Sequence, residues 1–181
     1  RLYHNQTDGT FVEVTREVLP HVPWFSMGSD VADLNNDGLF DLMGSDMAGS
    51  NHYKSKMGMA DMENFSWFLT TSRPPQYMRN ALYVNAGGGR FMEAAFLAGL
   101  ANTDWTWSLK FADFDNDGLV DLYGTNGMTH DQINSDLASQ AQALESPEER
   151  AAFWWKTPPR RDSNFAFRNL GDLRFAPVAA E

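Results

Sequence analysis

Two acidic loops carry the side chains with the clearest chemistry. The first loop runs from Asp33 to Asp41 and the second loop from Asp113 to Asp121. In both, oxygen-bearing side chains fall at positions 1, 3, 5 and 9, with glycine at position 6. Side chains two residues apart in a tight loop can converge on one centre, and the carbonyl at position 7 can add an oxygen. A set of hard oxygens without nitrogen or sulfur suits a cation such as Ca²⁺ better than a transition metal.

The loops share their first half with an EF-hand loop but not its end. Position 12 is Gly44 in one copy and Gly124 in the other, where an EF-hand carries a bidentate Glu. We therefore expect position 9, Asp41 or Asp121, to close each site at the start of a strand. The second loop has an additional carboxylate at position 3, which predicts tighter binding there.

A longer repeat surrounds these loops. An Asn that ends an apolar run and precedes a Gly-containing turn occurs at Asn5, Asn85 and Asn169, so the period is 80 to 84 residues. Each full unit is predicted to contain four strands, one before the loop, one after it, and a hairpin after an insertion. The predicted strands of the two full units are Met27–Leu34, Asp41–Ser45, Ala81–Asn85 and Arg90–Ala94, then Ser108–Phe114, Asp121–Thr125, Phe165–Asn169 and Arg174–Val178.

The insertions carry the helical signals. A short helix is predicted near residues 53–62, and a run of helix formers predicts another at 131–144. Ser146-Pro147-Glu148-Glu149 then supplies an N-cap, a proline at the first helical position and a capping-box Glu, which predicts a further helix.

On the paired loops and the Asn…Gly-x-Phe hairpins, the sequence resembles the FG-GAP/VCBS repeat family, which builds integrin-α-type β-propellers. The hairpins are also similar to those of secreted proteins of the cartilage-acidic-protein type. The resemblance implies four-stranded antiparallel blades with Ca²⁺ in the loop between the first and second strands. The ligands that it implies are Asp33, Asn35, Asp37, the Leu39 carbonyl and Asp41, and in the second copy Asp113, Asp115, Asp117, the Leu119 carbonyl and Asp121.

The predicted fold is mostly β, a propeller segment of about two and a half four-stranded antiparallel blades with helical insertions. Residues 1–181 are expected to form one domain. Its predicted parts are a half blade at 1–20, a blade at 26–97 with an insertion at 48–79, and a blade at 105–181 with a helical insertion at 128–163. Because propellers use roughly four to eight blades, we expect other blades from a longer chain or from other copies.

Composition narrows the class of partner. The formal net charge is −10, there is no cysteine, and no apolar run reaches transmembrane length. This charge disfavours nucleic acid and anionic membranes. Millimolar extracellular calcium would saturate both loops with Ca²⁺ even if each bound it weakly. The two predicted sites therefore favour a secreted, periplasmic or cell-surface location.

The sequence favours a non-catalytic function. It contains no Ser-His-Asp order and no phosphate-binding glycine loop, and His4, His21 and His130 lack metal-ligand spacing and are expected at the surface or in turns. The leading hypothesis is a calcium-binding scaffold for extracellular adhesion or protein–protein interaction. Trp105 and Trp107, on one face of an extended segment, are expected to pack between blades. They leave open a carbohydrate-binding module of a larger secreted protein, and a self-assembling propeller or fibre subunit is the third alternative.

Overall fold

Short antiparallel strands dominate the computed structural model, which describes residues 1–57 and 71–178. The strands are β1 Tyr3–Asn5, β2 Phe11–Glu13, β3 Val22–Pro23, β4 Ser29–Ala32, β5 Asp41–Gly44, β6 Met47–Ala48, β7 Gln76–Tyr77, β8 Ala81–Asn85, β9 Phe91–Glu93, β10 Asp104–Ala112, β11 Asp121–Asn126, β12 Phe165–Asn169 and β13 Phe175–Pro177. The helices are α1 Thr15–Val18, α2 His52–Met57, α3 Ser135–Gln142 and α4 Pro147–Lys156.

The strands assemble into blade-like sheets. Blade 1 has the order β4-β5-β8-β9, blade 2 has the order β10-β11-β12-β13, and β1 pairs with β2 to form the half blade. All of these pairs are antiparallel. The predicted fold class, a mostly β propeller segment with helical insertions, is confirmed.

The main core lies between blades 1 and 2. Leu34, Met43 and Leu82 of blade 1 pack against Leu109 and Leu122 of blade 2, and all five side chains are almost fully buried. Alternation along each strand sends these residues to the shared interface, while the intervening residues face the other side of the sheet. Burial of this apolar surface holds the two sheets together and fixes the positions of the loops at their ends.

Polar groups also join the two blades. The Asp30 carboxylate of β4 accepts the backbone N–H of Phe111 at 2.9 Å and lies 3.4 Å from the Lys110 ammonium of β10. At Gly28, an added Cβ would lie 2.9 Å from the Ser108 Cα, so the close approach of the two backbones requires glycine.

The insertions contain the predicted helices, with changed boundaries. Ser146 and Glu149 form the capping box, with N–H to side-chain distances of 3.1 and 3.2 Å, so the helix signal there is confirmed. The helix predicted at 131–144 begins at Ser135, because the Asn134 side chain caps it. Helix α2 covers part of the predicted segment 53–62, and residues 58–62 lie outside the described part of the chain.

Three features differ from the sequence reading. Ala48, placed at the start of an insertion, lies in β6, which leaves blade 1 and pairs with Asp104 and Trp105 of β10. Strands β3 and β7 form an unpredicted parallel pair. The expectation of a surface or turn position was wrong for His21, which is 5% exposed because it packs against tyrosine rings of β7 and β8.

None of the helices in the described residues has the length and apolarity needed to cross a bilayer.

Candidate metal centre

Side-chain oxygens fold the first loop into a tight turn. Asp33 accepts the backbone N–H groups of Asp37 at 3.1 Å and Gly38 at 2.8 Å, and Asp37 accepts that of Leu39 at 2.8 Å. The Asn35 side-chain oxygen accepts the Asp37 backbone N–H at 3.3 Å, and the Asn35 amide nitrogen donates to the Asp37 carboxylate at 2.9 Å. These bonds point the side chains at positions 1, 3 and 5 toward the centre of the loop.

The second loop repeats the same backbone bonds. Asp113 accepts from Asp117 at 3.1 Å and from Gly118 at 2.9 Å, Asp115 accepts from Asp117 at 3.2 Å, and Asp117 accepts from Leu119 at 2.9 Å. Carboxylate oxygens of Asp113, Asp115 and Asp117 lie within 4.8 Å of one another, and all three side chains are exposed. This all-oxygen donor set fits a hard divalent cation.

The aspartates at position 9 have a different environment from the other predicted ligands. Asp41 is fully buried and accepts the backbone N–H groups of Leu34 at 3.0 Å and Asn85 at 2.8 Å. Asp121 makes the two equivalent bonds in blade 2, at 3.2 and 2.8 Å. Each carboxylate therefore ties its loop to the third strand of the same blade. Their role as closing ligands, like that of the Leu39 and Leu119 carbonyls, stays a prediction.

Among these carboxyl groups, the pKa of Asp41 is raised and that of Asp117 is lowered. Burial raises the pKa of Asp41, although its two backbone donors favour the charged form. The Leu119 N–H and then the Arg168 guanidinium hold the pKa of Asp117 below its ordinary value.

Arginine 168 is a neighbour of the second loop that sequence reasoning missed. Its Nε lies 2.8 Å from Asp115 and its Nη2 lies 2.9 Å from Asp117. The sequence signal was available, because Arg168 directly precedes the repeated Asn169 on the strand beside the loop, where blade 1 has Val84.

The repeated asparagines connect the hairpins to the loops. Asn5, Asn85 and Asn169 each accept the N–H of the residue two positions later, which closes the hairpin turn. Asn169 also donates to the carbonyls of Leu34 and Val120, both at 3.0 Å. The sequence identified these residues as repeat markers, but the link from Asn169 to the other blade was not predicted.

The two loops touch each other. The Asn36 amide of the first loop donates to the Gly118 carbonyl of the second loop at 3.1 Å. Together with the bond from Asn169 to Leu34, this contact holds the loops side by side at one end of the blades.

The tryptophan pair does not form a flat platform. The Trp105 and Trp107 rings lie 6.3 Å apart and are inclined by 54°. Trp105 is partly buried and pairs with Met47 of β6 in the same sheet, whereas Trp107 is 51% exposed and its indole donates to the Gly127 carbonyl at 2.5 Å. The exposed Trp107 side chain does not fit the expected packing between blades, and the inclination of the two rings does not fit a flat stacking surface for sugars.

Comparison with protein families yields one match. A family model described as "FG-GAP-like repeat" matches residues 1–43 and 67–124, which together exceed half of the chain. Comparisons with curated proteins and with solved structures find no match. The matched ranges include both acidic loops.

Proposed function

The chain belongs to the FG-GAP-like repeat family, and from this premise we propose that it is a non-catalytic scaffold that binds one Ca²⁺ ion in each acidic loop. The observation that carries the proposal is that the same backbone N–H groups bond to the side chains at positions 1, 3 and 5 in both loops. In each, positions 1, 3 and 5 are folded by the same backbone amides, and in the second loop three carboxylates meet within 4.8 Å.

The proposed role of calcium is structural. Each loop joins the first and second strands of its blade, and its position-9 carboxylate already binds the third strand. A cation held by positions 1, 3 and 5 would neutralise carboxylates that otherwise repel one another. Ca²⁺ would thereby stabilise the folded blades over the unfolded chain.

The open faces of the sheets support a protein-binding role. Leu34 and Met43 are buried between the blades, whereas the residues at the equivalent positions of blade 2, Phe114 and Tyr123, are 55% and 37% exposed. On the other side of blade 1, a cleft of about 1180 Å³ is lined by residues of both the half blade and blade 1, such as Leu2 and Leu42. We propose that further blades, from a longer chain or from other copies, cover these faces.

The proposed location is secreted, periplasmic or at the cell surface, where calcium is abundant. The proposed partners are proteins or glycans at that surface. Adhesion is the cellular process that this combination of a calcium-bound scaffold and a surface partner would serve.

A calorimetric titration tests the metal proposal. Protein stripped with EDTA should bind two Ca²⁺ ions, and at a free concentration 100 times the dissociation constant each ion should add about 2.7 kcal/mol to the free energy of unfolding. For a chain of this size that corresponds to a rise in melting temperature of roughly 5 to 10 °C per site.

Single substitutions in each loop assign the two Ca²⁺-binding events to the two loops. Asp37→Ala should remove the event of the first loop and Asp117→Ala that of the second. Asp172→Ala should remove neither, because this exposed residue lies outside both loops. Absence of heat and of thermal stabilisation in the unmodified chain would refute calcium binding.

A further inference from the structure

We propose that Arg168 is an internal cation that competes with Ca²⁺ for the second loop and weakens binding there. This inference rests on the proposed calcium function. It concerns Asp115 and Asp117, each of which lies within 2.9 Å of a different arm of the guanidinium group.

The competition follows from which oxygens are engaged. In Asp115 and Asp117, Oδ1 accepts a backbone N–H of the loop, and Oδ2 contacts Arg168. The oxygens that the backbone leaves available are therefore those that the guanidinium contacts. A metal ion that used them would have to displace Arg168 or lie close to its positive charge.

The first loop provides the comparison. The residue equivalent to Arg168 is Val84, which is 3% exposed because blade 2 packs against it. The Asp37 Oδ2 atom accepts only a neutral amide donor, that of Asn35, among the bonds described above. Within residues 1–57 and 71–178, no acidic side chain of the first loop forms an ion pair.

The formal charges around the two loops also indicate that Arg168 weakens Ca²⁺ binding by the second loop. Asp115 replaces the neutral Asn35 and adds one negative charge to the second loop, but Arg168 brings one positive charge to the same place. The additional carboxylate, from which the sequence predicts tighter binding, is therefore offset. The advantage should emerge only when Arg168 is removed.

The size of the effect is set by the exposure of the arginine. The Arg168 side chain is 52% exposed, and ion pairs at such positions correspond to factors of about two to five in an equilibrium constant. Two pairs must be broken, so removal of Arg168 should tighten Ca²⁺ binding by the second loop about tenfold.

The test measures Ca²⁺ affinity with the second loop isolated. In an Asp37→Ala background, calorimetry with CaCl₂ gives the dissociation constant of the second loop, and Arg168→Gln should lower it about tenfold. Arg174→Gln is the matched control, because it removes the same charge from an exposed side chain that faces Asp172 at 3.7 Å. Arg168→Lys should fall between the parent and Arg168→Gln, since it keeps the charge and loses the two-armed contact.

The outcomes separate the two proposals. An approximately tenfold tightening in Arg168→Gln with no change in Arg174→Gln supports the competition. A dissociation constant that is unchanged or increased in Arg168→Gln overturns it. Failure of the unmodified chain to bind Ca²⁺ at either loop overturns the calcium function itself.

Discussion

Replacement of each repeated asparagine by alanine should reveal how strongly the blades depend on one another. Asn5 is exposed, and within residues 1–57 and 71–178 its side chain closes its own hairpin turn, with a bond of 2.9 Å. Asn85 closes its turn and donates to the Phe40 carbonyl within blade 1 at 3.2 Å. Asn169 closes its turn and donates to two carbonyls, one of which belongs to Leu34 of the other blade.

The expected costs follow from these bonds. A hydrogen bond contributes about 1 kcal/mol net, and a buried acceptor left without a donor costs about 1 to 3 kcal/mol more. Asn169 is 1% exposed, so Asn169→Ala should lower the free energy of unfolding by about 3 kcal/mol. Asn85→Ala should cost about 1.5 kcal/mol and Asn5→Ala less than about 0.5 kcal/mol.

Urea unfolding in EDTA measures this series without any contribution from metal binding. The midpoint should fall in the order Asn5→Ala, Asn85→Ala, Asn169→Ala, with a constant slope. The reasoning fails if Asn169→Ala costs no more than Asn5→Ala. That result would mean that the bond to Leu34 contributes nothing to the cohesion of the two blades.

Two further predictions concern buried positions. Burial raises the pKa of Asp46 to about 6, so the stability that this group contributes is present below about pH 4 and is lost as the pH rises to about 6. Asp46→Asn should reduce the loss of stability between pH 4 and pH 7 by about 2 kcal/mol in EDTA-containing melts, and an unchanged pH profile would contradict this. Gly124→Ala should destabilise by about 1 to 3 kcal/mol because its methyl group would overlap the Phe165 ring, while the equivalent Gly44→Ala, whose methyl group meets Pro23 at 3.3 Å, should cost less. Equal unfolding midpoints in urea for these two glycine variants would contradict the packing argument.

The sequence predicted the blades because their signals are local. The third strands of the two full blades, β8 and β12, start and end where turn residues bound an apolar run. The two loops fold through bonds between residues two to five positions apart, as in the contacts that Asp33 makes with Asp37 and Gly38. Such local patterns can be recognised in the sequence without knowledge of the tertiary structure.

The features that were not predicted depend on which sheet face is covered. Val84 and Arg168 occupy the same position in the repeat, yet one is buried under blade 2 and the other lies against a loop. Burial of Asp46 and the pairing of β6 with the next blade likewise involve partners far apart in sequence. The sequence repeat shows that two residues occupy equivalent positions in their blades. It does not show which other residues surround each of them.

Strand β6 has a consequence for how such chains can be cut and recombined. Met47 and Ala48 come from the sequence segment of blade 1 but extend the sheet of blade 2. Exchange of the predicted segment 26–97 with that of a related protein would therefore replace an edge strand of a sheet outside the exchanged segment. An exchange that keeps both the β6–β10 pairing and the β3–β7 pairing intact must include both blades together with the residues of β3.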